Sequence, residues 1–118
     1  MENIDRLKNS VIEIAVEHYR FKNTFMKAIS KLDFEEQSKY MSQFAWFSKK
    51  VTKALDEAAI RVLNLEGQLY DPGMSVTPLN LDDFGVDDPL YIVQMIEPII
   101  MQDDTVKRPG TVILGRIE

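Results

Sequence analysis

Residues 3–32 read NIDRLKNSVIEIAVEHYRFKNTFMKAISKL, and their spacing decides how the rest of the chain is read. Apolar side chains recur at Ile4, Leu7, Val11 and Ile14, then His18, then Phe21, Phe25, Ala28 and Leu32. The steps alternate three and four residues without a break, which is the heptad period of helices that pair along a seam. A first helix from about Asn3 to Leu32 is expected. Ile12, Val16, Tyr19, Met26 and Ile29 form a second apolar stripe, so this helix can face two neighbours: a second copy of the chain and its own next helix. An amphipathic helix packed only within one chain is the competing reading. Ile4, Leu7, Val11, Ile14, His18, Phe21 and Phe25 are the expected dimerisation residues.

Outward from this seam, glycine and proline partition the sequence. Residues 1–66 contain neither, and all five glycines and all five prolines lie in 67–118. Both residues punctuate helices and mark turns. The expected organisation is therefore α+β: two long helices over 1–66 forming a dimeric, coiled-coil stalk, and a small β-rich head over 67–118. The second helix should begin after Asp33, where Asp33 and Glu36 have capping-box spacing. It continues through Met41, Phe44, Phe47, Val51, Leu55, Ala58, Val62 and Leu65, and Gly67 suits the left-handed residue beyond its end. Trp46 sits at the edge of that stripe as a core or interface residue. In the head, Tyr70-Asp71-Pro72-Gly73 is a turn signal. Leu90–Ile96 is rich in strand formers and is limited by Pro98. Gln102-Asp103-Asp104 suits a hairpin, and Thr111–Leu114 a last strand after Arg108-Pro109-Gly110.

Composition narrows the function. Residues 1–66 carry 11 Lys/Arg against 10 Asp/Glu, and residues 67–118 carry 3 against 9. An acidic head argues against nucleic acid, whose phosphates need clustered cations. No stretch approaches the ~18 consecutive apolar residues of a membrane span. With no cysteine, there is no disulfide and no thiolate metal site. The charged N-terminal residues lead into a patterned helix rather than a signal peptide, and a cytoplasmic location is expected. His18 is the single histidine; as a seam residue it can fix register or respond to pH, with a water or a neighbour as its hydrogen-bond partner. A metal or catalytic role would need further ligands that no second histidine or cysteine supplies. Asp82, Asp83, Asp87 and Asp88 lack the alternating spacing of a calcium loop and read as solvated acids. With no phosphate loop or nucleophile elbow either, a non-enzymatic interaction protein without a cofactor is expected. Arg108 is one of three cations in the head, serving either a local salt bridge to Asp103 or Asp104 or a contact to a partner.

Two stretches add a resemblance. Gly67-Gln68-Leu69-Tyr70-Asp71-Pro72 is similar to the Gly, two variable residues, aromatic, Asp-Pro pattern of GrpE-type nucleotide exchange factors. Val106-Lys107-Arg108-Pro109-Gly110, with the strand formers after it, resembles that family's Val-Leu-Arg-Pro-Ala and the run that follows. The resemblance spans roughly residues 44–114. The chain departs where the family has a His-Glu-Ala segment (here Ser75-Val76-Thr77), a Gly-Tyr pair (Ile99-Ile100) and a further arginine (Thr105). The resemblance implies paired long helices, a β-rich head, and a homodimeric co-chaperone that acts on a DnaK-type chaperone or other actin-fold ATPase by binding its open state. It implies Asp71, Pro72, Arg108 and Pro109 as partner-binding positions. The alternative expectation is a dimeric acidic interaction module, such as an inhibitor, immunity or scaffold protein, without chaperone activity.

Overall fold

A computed structural model describes residues 2–118. The order of elements is α1 (Glu2–Ile29), α2 (Phe34–Glu57), β1 (Ile60–Leu63), β2 (Val76–Pro78), a short 3-10 turn (Leu81–Asp83), β3 (Leu90–Glu97), β4 (Ile99–Gln102), β5 (Thr105–Arg108) and β6 (Gly110–Arg116). The class is α+β, with two helices and two small sheets. The chain divides into two compact units that meet at Ile60–Arg61. No helix among the described residues is long and apolar enough to cross a membrane.

In the first unit the two helices form an antiparallel hairpin. The chain turns at Ser30–Asp33, and the Asp33 carboxylate accepts the Glu36 N–H at 2.8 Å, satisfying one free donor at the start of α2. An aromatic cluster joins the helices. Phe44 stacks on His18 with ring centres 5.9 Å apart and on Phe25 at 5.1 Å, while Phe21 and Phe47 lie at 6.4 and 6.0 Å. Such separations fall in the favourable range for ring pairs.

The seam expected to serve a second copy is thus divided. His18, Phe21 and Phe25 meet α2 of the same chain, whereas Ile4, Leu7 and Ile14 remain exposed. The buried residues of α1 are Ile12, Ala15, Val16, Tyr19 and Ile29, largely the second stripe. The reason is geometric. At 100° per residue the two stripes merge into one wide apolar band, and an antiparallel neighbour covers part of either.

Two boundaries differ from the sequence reading. The second helix does not reach residue 66: it ends at Glu57, Ala59 turns left-handed at φ 59°, and residues 60–63 are strand β1. The apolar spacing of Leu55, Val62 and Leu65 is compatible with a helix, but β-branched Ile60 and Val62 alternate as a strand needs, and pairing beside β4 decides. Gly67 is left-handed as expected, at φ 87°, yet it caps no helix; its N–H donates to the Ile92 carbonyl at 2.8 Å, alongside β3.

The second unit holds the sheets β1-β4-β5 and β2-β6-β3. Pro98, with no N–H for a ladder, separates β3 from β4. Asp103 and Asp104, at φ 50° and 65°, form the two-residue tip between β4 and β5, with Gln102 opposite Thr105. Consecutive left-handed residues give the turn whose twist matches a hairpin, and aspartate tolerates that region better than most side chains. β6 lies between β3, which runs antiparallel to it through two register shifts, and β2, which runs parallel. Ile92, Met95, Ile100 and Val112 are fully buried.

Candidate functional site

The expected partner-binding residues lie on two short segments of the head. Asp71 is exposed and shapes its own turn: its carboxylate accepts the Gly73 N–H at 2.9 Å and its carbonyl accepts the Met74 N–H at 2.9 Å. Aspartate suits such a turn because its short side chain reaches a backbone N–H two residues on. Pro72 follows, also exposed. Arg108 closes β5 and is half-buried, and exposed Pro109 stands between β5 and β6.

The residues that follow each segment pair with one another in the sheet. The Gly110 N–H donates to the Ser75 carbonyl at 2.9 Å, and β2 then runs parallel to β6 with Val76 opposite Gly110. Asp71-Pro72 leads into β2 and Arg108-Pro109 leads into β6. Asp71-Pro72 itself, however, follows Tyr70, whose N–H donates to the Leu90 carbonyl at 2.9 Å, and Leu90 lies opposite Arg116, at the far end of β6 from Arg108-Pro109.

Arg108 does have a local ion-pair partner, but it is neither Asp103 nor Asp104. Its guanidinium lies 3.2 Å from a Glu97 carboxylate oxygen, while the other oxygen of Glu97 accepts the Thr111 hydroxyl at 3.2 Å. Asp104 pairs instead with Arg61, at 3.3 Å. The antiparallel return of β5 along β4 carries Arg108 away from the hairpin tip and opposite Ile100, two residues past Pro98. The departures from the family pattern also find their places. Ile99 and Ile100 are buried in the head, whereas Ser75 and Thr105 are exposed.

The acidic loop is mostly solvated. Asp82, Asp83 and Asp87 are exposed, and half-buried Asp88 accepts the Gly85 N–H at 2.7 Å and pairs with Arg116 at 3.0 Å. That backbone hydrogen bond, with Arg116, holds the Asp88 carboxyl below its usual range. Among the described residues no three His, Cys, Asp or Glu side chains are placed to hold a metal ion. His18 departs from expectation in one respect: its Nε2 is buried with no hydrogen-bond partner among the described residues. Burial and the nearby Lys22 ammonium both lower its pKa.

Sequence reasoning missed a cleft in the head between Leu69–Pro72 and the 81–90 loop. Its signal was faint: Leu69, Leu81, Val86 and Ile117 stand singly in a turn-rich stretch without periodicity. No family model, no curated protein and no solved structure matches the chain.

Proposed function

We propose that this chain is a GrpE-like adaptor or nucleotide exchange factor, which pairs with a second copy through its helical unit and grips a DnaK-type chaperone, or another actin-fold ATPase, with its head. The observation that supports the reading is the arrangement of a two-helix unit followed by a separate β-rich head on which Asp71, Pro72 and Pro109 are exposed. These exposed positions belong to the two segments that resemble the family. The mechanism is mechanical. A head that binds the open form of a nucleotide cleft better than the closed form shifts the population toward open, and nucleotide leaves. No bond is made or broken.

Pairing through the helical unit is supported by the exposure of Ile4, Leu7, Ile14 and Phe21 on one side of α1. Leu7→Asp with Ile14→Asp is the cleanest test, because neither side chain belongs to the aromatic cluster that joins the helices. Light scattering should report a dimer for the parent chain and a monomer for the double variant, with helicity retained. A monomeric parent chain at high micromolar concentration removes this half of the proposal.

The chaperone half is tested by binding to a purified DnaK-type ATPase, with and without ATP, and by following release of a fluorescent ADP analogue. Binding favoured without ATP, with faster release, supports the reading. No binding in either state leaves the acidic interaction module, which the charge of the head favours. Arg108→Ala should weaken binding, since an arginine desolvated at an interface is worth ~2 kcal/mol or more. Its pairing with Glu97 adds a modest loss of head stability, ~1 kcal/mol for a partly exposed pair.

A further inference from the structure

The cleft of the head has a volume of about 640 Å³, within the size range of ligand-binding sites. Its lining is largely apolar, with Leu69, Leu81, Phe84, Val86, Leu90 and Ile117 contributing. Several of these side chains are turned out to solvent, with Leu69 67% and Val86 fully exposed. Single exposed apolar residues are ordinary, but a group of them around one concavity marks a surface that binds something.

The rim is acidic. Asp82 and Asp88 border the cleft, Asp83 and Asp87 adjoin them in sequence, and no ion pair involves Asp82, Asp83 or Asp87 among the described residues. The molecule itself displays what such a rim accepts. The Arg116 guanidinium pairs with Asp88 at 3.0 Å and lies 5.9 Å from the centre of the Phe84 ring, so it meets a carboxylate and an aromatic face together. The remaining three carboxylates offer the same attraction to a cation from outside.

We propose that this cleft binds a short extended segment of a partner protein in which a large apolar side chain is flanked by lysine or arginine. The apolar side chain fills the space between Leu69, Leu81 and Val86, and the flanking cations face Asp82, Asp83 and Asp87. Charge complementarity selects this occupant. The head carries 9 acidic against 3 basic residues, so an acidic or phosphorylated segment is repelled, and a purely polar basic one leaves the apolar wall in water. The inference does not rest on the chaperone reading, because its test contains no ATPase, although Pro72 borders this cleft as well.

The test is an NMR titration of the 15N-labelled full chain with three nine-residue peptides: one alternating leucine and lysine, one alternating leucine and glutamate, and one alternating serine and lysine. The leucine–lysine peptide should shift amide signals of 69–72 and 81–90 saturably, while the other two bind at least about tenfold more weakly. Asp82→Lys with Asp83→Lys should weaken the leucine–lysine peptide about tenfold or more and leave signals outside the loop in place, since both side chains are exposed. Leu69→Ser should weaken it several-fold. Equal binding of the lysine and glutamate peptides overturns the proposal. So do saturable shifts centred on α1 instead of the cleft, binding indifferent to the charge reversal, or no shift at millimolar peptide.

Discussion

Ile92, Met95, Ile100 and Val112 of the head are fully buried, whereas Ile4, Leu7, Ile14 and Phe21 of α1 each keep more than half of their surface exposed. The two regions contain similar kinds of side chain and use them differently. In the head, strands from distant parts of the sequence enclose a dry centre, and these four side chains are committed to holding the fold. On the helical unit the aromatic cluster around Phe44 closes one side of the hairpin and leaves an apolar strip in water. The contrast separates residues that specify structure from residues available for association.

That contrast can be broken most forcefully at Ile100. Truncating a fully buried side chain loses transfer free energy and opens a cavity, so Ile100→Ala should cost about 2–5 kcal/mol. Thermal melting followed by circular dichroism measures it, and Leu79→Ala, at 61% exposure, should change the same midpoint little. A smaller effect in the opposite steric sense is expected at Gly110. A Cβ there would run into the Met95 methyl and come within 3.0 Å of the Glu97 carbonyl oxygen. The methyl can swing aside but the backbone oxygen cannot, so Gly110→Ala should cost about 1–3 kcal/mol of overpacking. Equal stability of this variant and the parent would mean that the β3–β6 pair is looser than its contacts imply.

The smallest effect is a dependence on pH in the helical unit. The His18 ring lies against both Phe44 and Phe47, and its pKa is lowered from 6.5 by burial and by Lys22. The unfolded chain takes up a proton near pH 6.5, while the folded chain does so only at lower pH. Between those values the unfolded state holds more protons, so stability is full above about pH 6.5 and declines as the solution is acidified through that window. His18→Gln should flatten the melting temperature between pH 7.5 and 5 relative to the parent. An unchanged slope would assign the pH response to other groups.

Much of this architecture was legible because glycine and proline are confined to one side of residue 67 and because the strand formers of 90–96 and 111–114 stand between turn residues. The Asp33 cap and the Asp103-Asp104 tip were readable for the same reason: their chemistry is local. What escaped was decided at a distance. Residues 60–63 suit a helix until β4 is beside them. The partner of Arg108 could not be found by searching the nearest acids, because the β4–β5 hairpin reverses direction and brings Glu97 into reach instead. The division of the α1 seam follows from which flank of a wide apolar band α2 covers, and heptad spacing carries no information about that. The cleft of the head left no periodic trace, since its wall is gathered from one turn, one loop and Ile117.

The strand order β2-β6-β3 has a consequence for how the molecule is made. Its central strand is Gly110–Arg116, the last of the three to be synthesised, and both neighbours wait for it: β2 begins more than thirty residues earlier and β3 about twenty. The helical hairpin needs only contacts between segments that emerge one after the other, so it can close while translation continues. The sheet around β6 cannot. Until residues 110–116 leave the ribosome, Val76–Pro78 and Leu90–Glu97 present unpaired edges and the side chains of Ile92 and Met95 to the surrounding solution. The nascent head therefore passes through a stage at which it is itself exposed to aggregation, and that stage ends only when its final strand slides between the two already made.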